Sequence, residues 1–180
     1  HEGLLLDSES KQTSLMKNEY NTEEDYYNMS THFLWVGERT NKYDEAHIEY
    51  FRGIGNPIGM KWGPKSAPED IVKALKLVNP ENELGKVSLI VRMGAKNVEK
   101  TLPPLIEEIA KHGLKVVWVC DAVHGNTYIN DCKFKVRHVD TILEELVTTY
   151  KILKEHKQIF GGIHLEVSGD NVTEWIGGVT

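Results

Sequence analysis

Five apolar segments recur along this chain, and each runs into a charged or metal-capable residue. They are HFLWVGER (32–39), PIGMKWG (57–63), KVSLIVRMG (86–94), KVVWVCDAVHGN (115–126) and GGIHLEVSG (161–169). Side chains alternate across a β-strand, so in the second segment Ile58, Met60 and Trp62 share one face while Gly59 and Lys61 share the other. In the third, Val87, Leu89 and Val91 oppose Ser88, Ile90 and Arg92; in the fifth, Ile163, Leu165 and Val167 oppose His164 and Glu166. One face is suited to packing against helices. The other carries polar groups to the strand ends, as at the C-terminal mouth of a (β/α) barrel.

Helical signals fill the gaps. Residues 43–53 carry apolar residues at helical spacing and stop at Gly53. Ser66-Ala67-Pro68-Glu69 reads as a capping box with an early proline. Residues 97–113 form a long amphipathic stretch whose main helix is expected to begin at Pro103 and Pro104, with Lys111 and His112 near its C-terminus and Gly113 ending it. Residues 139–156 are the clearest helix. Strand and helix in alternation predict a parallel sheet of right-handed units. Residues 7–30, polar and poorly periodic, are expected to be a loop or insertion with one short helix at 23–27.

A complete (β/α)8 TIM barrel uses about 250 residues and eight strands. This chain has 180 residues and opens on His1; it shows five strands, or six if Gly3-Leu4-Leu5-Leu6 is the tail of another. The expectation is an α/β chain supplying about five to six βα units of a barrel, residues 1–180 being part of one barrel domain. A smaller open sheet is the alternative. Such a sheet exposes edges and apolar faces unless it associates, which favours the core of a larger barrel over a free-standing sheet. A homo-oligomer is also expected.

The formal net charge of −6 argues against general nucleic-acid or acidic-membrane binding. No apolar run reaches a membrane span and no signal-peptide pattern opens the chain. Cys120 and Cys132 are too few for a disulfide framework and lack zinc-site spacing; Cys120 reads as a small buried residue. A reducing compartment follows: cytoplasm, or a plastid stroma. The sequons at Asn28 and Asn171 read as chance matches.

Two constellations carry chemistry. Arg39, Lys61 and Arg92 are cations from three neighbouring strand ends, and Glu38 can neutralise only one of them. Cations so placed call for an anionic ligand bearing phosphate or carboxylate, Arg making bidentate contacts and Lys acting as a point charge. Ordinary ion pairs around a barrel rim are the plainer reading. The second constellation is His124 with Glu166. An imidazole and a carboxylate suit a divalent Mn2+, Co2+, Fe2+ or Zn2+ ion, although on spacing alone a hydrogen-bonded structural pair is the favoured reading and a site needs further ligands. His164 reads as a packing or supporting histidine.

WVGERT (35–40), NPIGMKWGP (56–64), LIVRMGA (89–95), DAVHGNT (121–127) and GGIHLEVSGDNVTE (161–174), in this order, resemble the type II (plant-like) 3-deoxy-D-arabino-heptulosonate-7-phosphate synthases. The resemblance implies a (β/α)8 barrel of which these segments are strands three to seven. It also implies condensation of phosphoenolpyruvate with erythrose 4-phosphate, the first step of the shikimate pathway to aromatic amino acids. Lys61 and Arg92 would then hold the phosphoenolpyruvate carboxylate and phosphate, Trp35 and Glu38 would line that pocket, and Arg39 would reach a substrate phosphate. Lys61 or Glu38 would position the attacking water. His124 and Glu166 would be two metal ligands; the family's metal cysteine and last aspartate lie in regions this chain does not include. Ala122-Val123 stands where the family has Pro-Met, and Trp175 where it has Cys. The alternative is a non-catalytic fragment or anion-binding module with an incomplete metal site.

Overall fold

The computed structural model describes residues 1–17, 24–166, 169–170 and 174–178. The chain opens with α1 (Leu6–Lys11), β1 (Thr13–Lys17), β2 (Glu24–Asn28) and β3 (Leu34–Val36). Three strand–helix units follow: α2 (Ala46–Arg52) and β4 (Ile58–Trp62), α3 (Pro68–Val78) and β5 (Val87–Val91), then α4 (Val98–Lys111) and β6 (Val117–Cys120). Short strands β7 (Tyr128–Ile129) and β8 (Lys135–His138) precede α5 (Val139–Glu155), β9 (Phe160–Ile163) and β10 (Trp175–Ile176).

Among the described residues, β3, β4, β5, β6 and β9 form a five-stranded parallel sheet in that order. The expected alternation sets its two faces. Ile58, Met60, Trp62, Val87, Leu89 and Val91 are buried in one cluster with Ile71, Leu75, Leu102, Leu105 and Ile106 of the covering helices. At roughly 1.5–3 kcal/mol for each large apolar side chain buried, this layer dominates the stability of the fold. Lys61 points the other way, to the concave side. Gly59 shares that side for a steric reason: a Cβ there would lie 2.8 Å from Trp35 Cβ and 2.9 Å from Ile90 Cδ1. Its missing side chain lets the Trp35 indole lie across β4. Sequential strands laid side by side in parallel, with helices between them, are consistent with a barrel-like fold.

Several local expectations change. The segment at 24–28 is not helical; it is β2, paired antiparallel with β1 in a hairpin, while Glu23 lies outside the described residues. The extra strand-like pairing falls at His1–Gly3, where Glu2 bridges Trp35 in parallel and Gly3 N–H donates to Trp35 O at 2.9 Å, whereas Leu6 already begins α1. No capping box forms at α3, because Ala67 rather than Ser66 is the N-cap and Pro68 takes the first turn. Helix α4 begins at Val98 and carries Pro103 and Pro104 inside it. Each interior proline costs about 3 kcal/mol. The carbonyls they orphan belong to exposed Glu99 and Lys100, open to water, and the buried face of Val98, Leu102, Leu105, Ile106 and Ile109 outweighs that cost. Gly113, at φ +64°, follows the helix in the left-handed region expected of its terminating residue.

Helix α5 matches its expected span to within one residue. In β9 the pleat has the expected sense, His164 turning inward while Ile163 and Leu165 lie outward. Those two are 51% and 44% exposed, since no described element covers them; Val167 is outside the described residues. Asn28 is buried, its amide donating to Glu9 Oε2 at 2.7 Å and Tyr50 Oη at 2.8 Å, which leaves no room for a glycan. The Asn171 sequon falls outside the described residues. No helix among the described residues is long and apolar enough to cross a membrane.

Candidate active site

The C-terminal ends of the parallel strands bring most of the expected residues together. Lys61, in the middle of the polar face of β4, is 5% exposed. Its ammonium lies 3.1 Å from Asp121 Oδ2, pairs with Glu166 Oε1, and stands 5.5 Å from the centroid of the Trp35 ring. Asp121 follows β6 directly and is fully buried. Burial works against its ionisation, but the hydrogen bond from His124 and the charge of Lys61 prevail and hold the carboxyl well below the ordinary range. It accepts from His124 Nδ1 at 2.7 Å and from the His124 backbone N–H at 3.1 Å.

That arrangement orients His124. With Nδ1 held by a carboxylate, the imidazole turns its Nε2 edge toward Glu166. Nε2 faces Glu166 Oε2 across 3.4 Å. The other Glu166 oxygen is held by Lys61 and, at 3.2 Å, by His164 Nε2. Burial disfavours the charged form of Glu166, yet Lys61 and then His164 outweigh it, leaving the pKa below the usual carboxylate range. His164 meets the Trp35 indole edge-on at 4.8 Å, as a supporting histidine would.

Asp121, His164 and Glu166 each offer a donor atom, all within 4.8 Å of one another, and form a group able to hold a metal ion. Both Asp121 oxygens are already engaged by His124, one of them also by Lys61. His124 Nε2 stands beside this group, 3.4 Å from Glu166 Oε2. The donor set is nitrogen and carboxylate oxygen, which suits a divalent transition metal.

Arg92 extends beyond β5 and forms an ion pair with Glu38, whose carboxylate occupies the space left by Gly63. Two buried donors stay unmatched among the described residues: Arg92 Nε and Trp35 Nε1. A buried donor without an acceptor costs about 1–3 kcal/mol, so such groups mark places where a ligand supplies one.

Lys61 and Arg39 differ from expectation. Lys61 does not lack anions, because Asp121, unnoticed in the sequence, pairs with it alongside Glu166. Arg39 does not join the cluster. It is exposed on the turn after β3, and none of the ion pairs among the described residues includes it. Glu145 also went unnoticed. It is buried on α5, and burial, only partly offset by hydrogen bonds from the Gly94 backbone and Asn126, pushes its pKa up to about 7. Both acids had a signal in retrospect. Asp121 closes an apolar strand, and Glu145 falls on the apolar stripe of an amphipathic helix. Cys120 is buried with its thiol pushed up to about 12, chiefly by desolvation, so it is no nucleophile.

A parallel α/β sheet whose strand ends gather phosphate-suited cations and metal-suited donors is consistent with a barrel-type site. The chain matches the Class-II DAHP synthetase family over residues 1–180. It is 45% identical over 190 aligned residues to a phospho-2-dehydro-3-deoxyheptonate aldolase of Neurospora crassa, covering 99% of this chain and 40% of that protein. Proteins of the same name from Streptomyces coelicolor and Mycolicibacterium smegmatis (the latter AroG) are 41% and 40% identical, with 99% of this chain and 39% of each relative aligned. The chain belongs to the Class-II DAHP synthetase family. It spans about 40% of the length of these curated relatives.

Proposed function

We propose that this chain supplies the central wall of a (β/α)8 barrel that condenses phosphoenolpyruvate with erythrose 4-phosphate to 3-deoxy-D-arabino-heptulosonate 7-phosphate. The observation that carries this reading is the pair of unmatched buried donors, Arg92 Nε and Trp35 Nε1, at a mouth lined by Lys61 and Arg92. The names of the relatives point the same way. In this reading residues 1–180 are part of one barrel domain, and the product enters aromatic amino-acid biosynthesis.

Each residue has a task. Arg92 and Lys61 receive the carboxylate and phosphate of phosphoenolpyruvate, and Trp35 donates its indole N–H. Arg39, exposed at the rim, meets a substrate phosphate as it enters. The cations neutralise two phosphorylated substrates that otherwise repel each other. His124 Nε2 and Glu166 Oε2 hold a divalent metal, with Asp121 fixing the imidazole. When bound, the metal supplies Lewis-acid polarisation of the aldehyde oxygen. The C3 carbon of phosphoenolpyruvate bonds to the aldehyde carbon, water adds at C2, and the C2–O bond to phosphate breaks. Lys61 and Glu38 are the groups that position this water. A transferase of the cytoplasm, or of a plastid stroma, fits a chain whose two cysteines are both free. Assembly into a homo-oligomer fits the exposed Ile163 and Leu165.

The test is to assay the whole protein carrying this chain for erythrose 4-phosphate-dependent consumption of phosphoenolpyruvate. Turnover lost with a chelator and restored by Mn2+ or Co2+ supports the synthase. Phosphate binding without turnover favours the runner-up, an anion-binding module. A second expected outcome concerns Glu166→Gln, which keeps volume but removes the anionic donor. Bound metal should drop about 10- to 100-fold in affinity, read by elemental analysis after dialysis, with Tm nearly unchanged because Glu166 is 43% exposed. Full occupancy in that variant would rule it out as a ligand.

A further inference from the structure

Glu145 is a buried acid for which the chemistry above has no use. Its Oε1 accepts the Gly94 backbone N–H at 2.8 Å and its Oε2 accepts Asn126 Nδ2–H at 2.7 Å. No Lys or Arg pairs with it among the described ion pairs, and it is 0% exposed. A carboxylate in that position is expensive, and an apolar residue of similar shape would serve the core better.

What it touches gives it a role. Gly94 is two residues past Arg92, on the loop after β5, and Asn126 is two residues past His124, on the loop after β6. Asn126 spends both donors and its oxygen on the same junction: Nδ2 also donates to Ala122 O at 2.7 Å, and Oδ1 accepts the Ala95 N–H at 2.9 Å. The two loops meet backbone to backbone. A Cβ on Gly94 would fall 2.7 Å from Gly125 O, and Gly94 holds φ +80°. Nothing larger fits between them, so the Glu145–Asn126 pair sets how they sit.

We propose that Glu145 is a positioning residue, fixing the loop that carries Arg92 against the loop that carries His124 and so the spacing of the anion-binding and metal-binding halves of the mouth. This rests on the reading of that mouth given above.

The pattern of donors provides the test. In Glu145→Gln, volume is kept and Oε1 can still accept from Gly94. The new Nε2–H2 then confronts Asn126 Nδ2–H2, donor against donor. Flipping the Asn126 amide only moves the conflict to the Ala95 N–H. Adding Asn126→Asp reverses the polarity toward residue 145: the new carboxylate accepts from Gln Nε2 and from Ala95, while the hydrogen bond to Ala122 O becomes an acceptor–acceptor opposition that keeps the recovery partial. In the whole protein, E145Q should raise the KM for phosphoenolpyruvate and the Kd for Mn2+ by roughly tenfold each, the far-UV circular dichroism being unchanged, and the double variant should recover part of both. An activity-independent readout goes with this. The 15N resonances of Arg92 Nε and the His124 ring should both move in E145Q and return in the double variant. If both stay in place, or move and do not return in the double variant, the positioning role is overturned. If they move and return in a protein that shows no condensation activity, the synthase reading fails while the positioning role stands.

Discussion

Replacing Lys61 with methionine should give the largest loss of any single change at the mouth. The variant keeps the aliphatic stem but leaves Asp121, fully buried, and Glu166 without their shared cation. Removing one partner of a buried ion pair costs about 3–5 kcal/mol, more than either surface pairing or side-chain volume accounts for. The pH dependence has a definite sign. In the wild type, the Asp121 pKa is depressed below its ordinary value, so its contribution to stability is present above that value and lost as pH falls through the folded pKa. Without Lys61 the hydrogen bond from His124 remains, but burial is less fully opposed and the carboxyl takes a proton more readily than in the wild type. The stability deficit of the variant should therefore be greatest near neutral pH and shrink as pH falls through the ordinary carboxylate range, which urea unfolding at pH 7 and about pH 3 would reveal. Turnover should fall by roughly 10²–10³ or more, the usual loss when a charge-stabilising donor is removed. A variant as stable as the wild type at neutral pH would mean that solvent reaches Asp121 and that the ion pair is not its stabiliser.

Arg92→Ala should separate binding from folding. The guanidinium lies at the mouth, 21% exposed, and contributes nothing to the apolar layer beneath the sheet. Its loss frees Glu38 into partly solvated surroundings and removes one of the two unmatched donors. Truncating a charged, hydrogen-bonded partner of a ligand costs about 2–5 kcal/mol, or roughly 30- to 5,000-fold in affinity for phosphoenolpyruvate. Tm should change little. Unaltered phosphoenolpyruvate affinity, measured by calorimetry, would remove Arg92 from the pocket.

These two residues illustrate what could be read directly. Lys61 stands in a plain strand and Arg92 directly follows one, and the pleat carried along each assigns them to the face opposite Ile58, Met60, Val87 and Leu89. Glu38, His124 and Glu166 follow from the same logic, since a residue just past an apolar strand sits at its end. Helices ending at Gly53 and Gly113 were equally legible, because their punctuation is local. The prolines of α4 misled for a local reason too. Their intrinsic preference for a first turn was overridden by an apolar face that extends through both sides of them. The β1–β2 hairpin was missed because its strands are short and polar, and what pairs them is partner geometry rather than apolar periodicity.

By itself, the sequence determined the alternating α/β order, the inward set of polar strand-end residues and the resemblance to a family. Each of these depends on neighbours along the chain, through the two-residue pleat and the helical repeat. Only the tertiary structure decided the pairings. Asp121 meets Lys61 from two strands away, Arg39 turns out to solvent, and Glu145 reaches under two loops at once. Charge neutralisation and burial depend on distance in space, and the sheet order that sets those distances is fixed by packing the whole wall together.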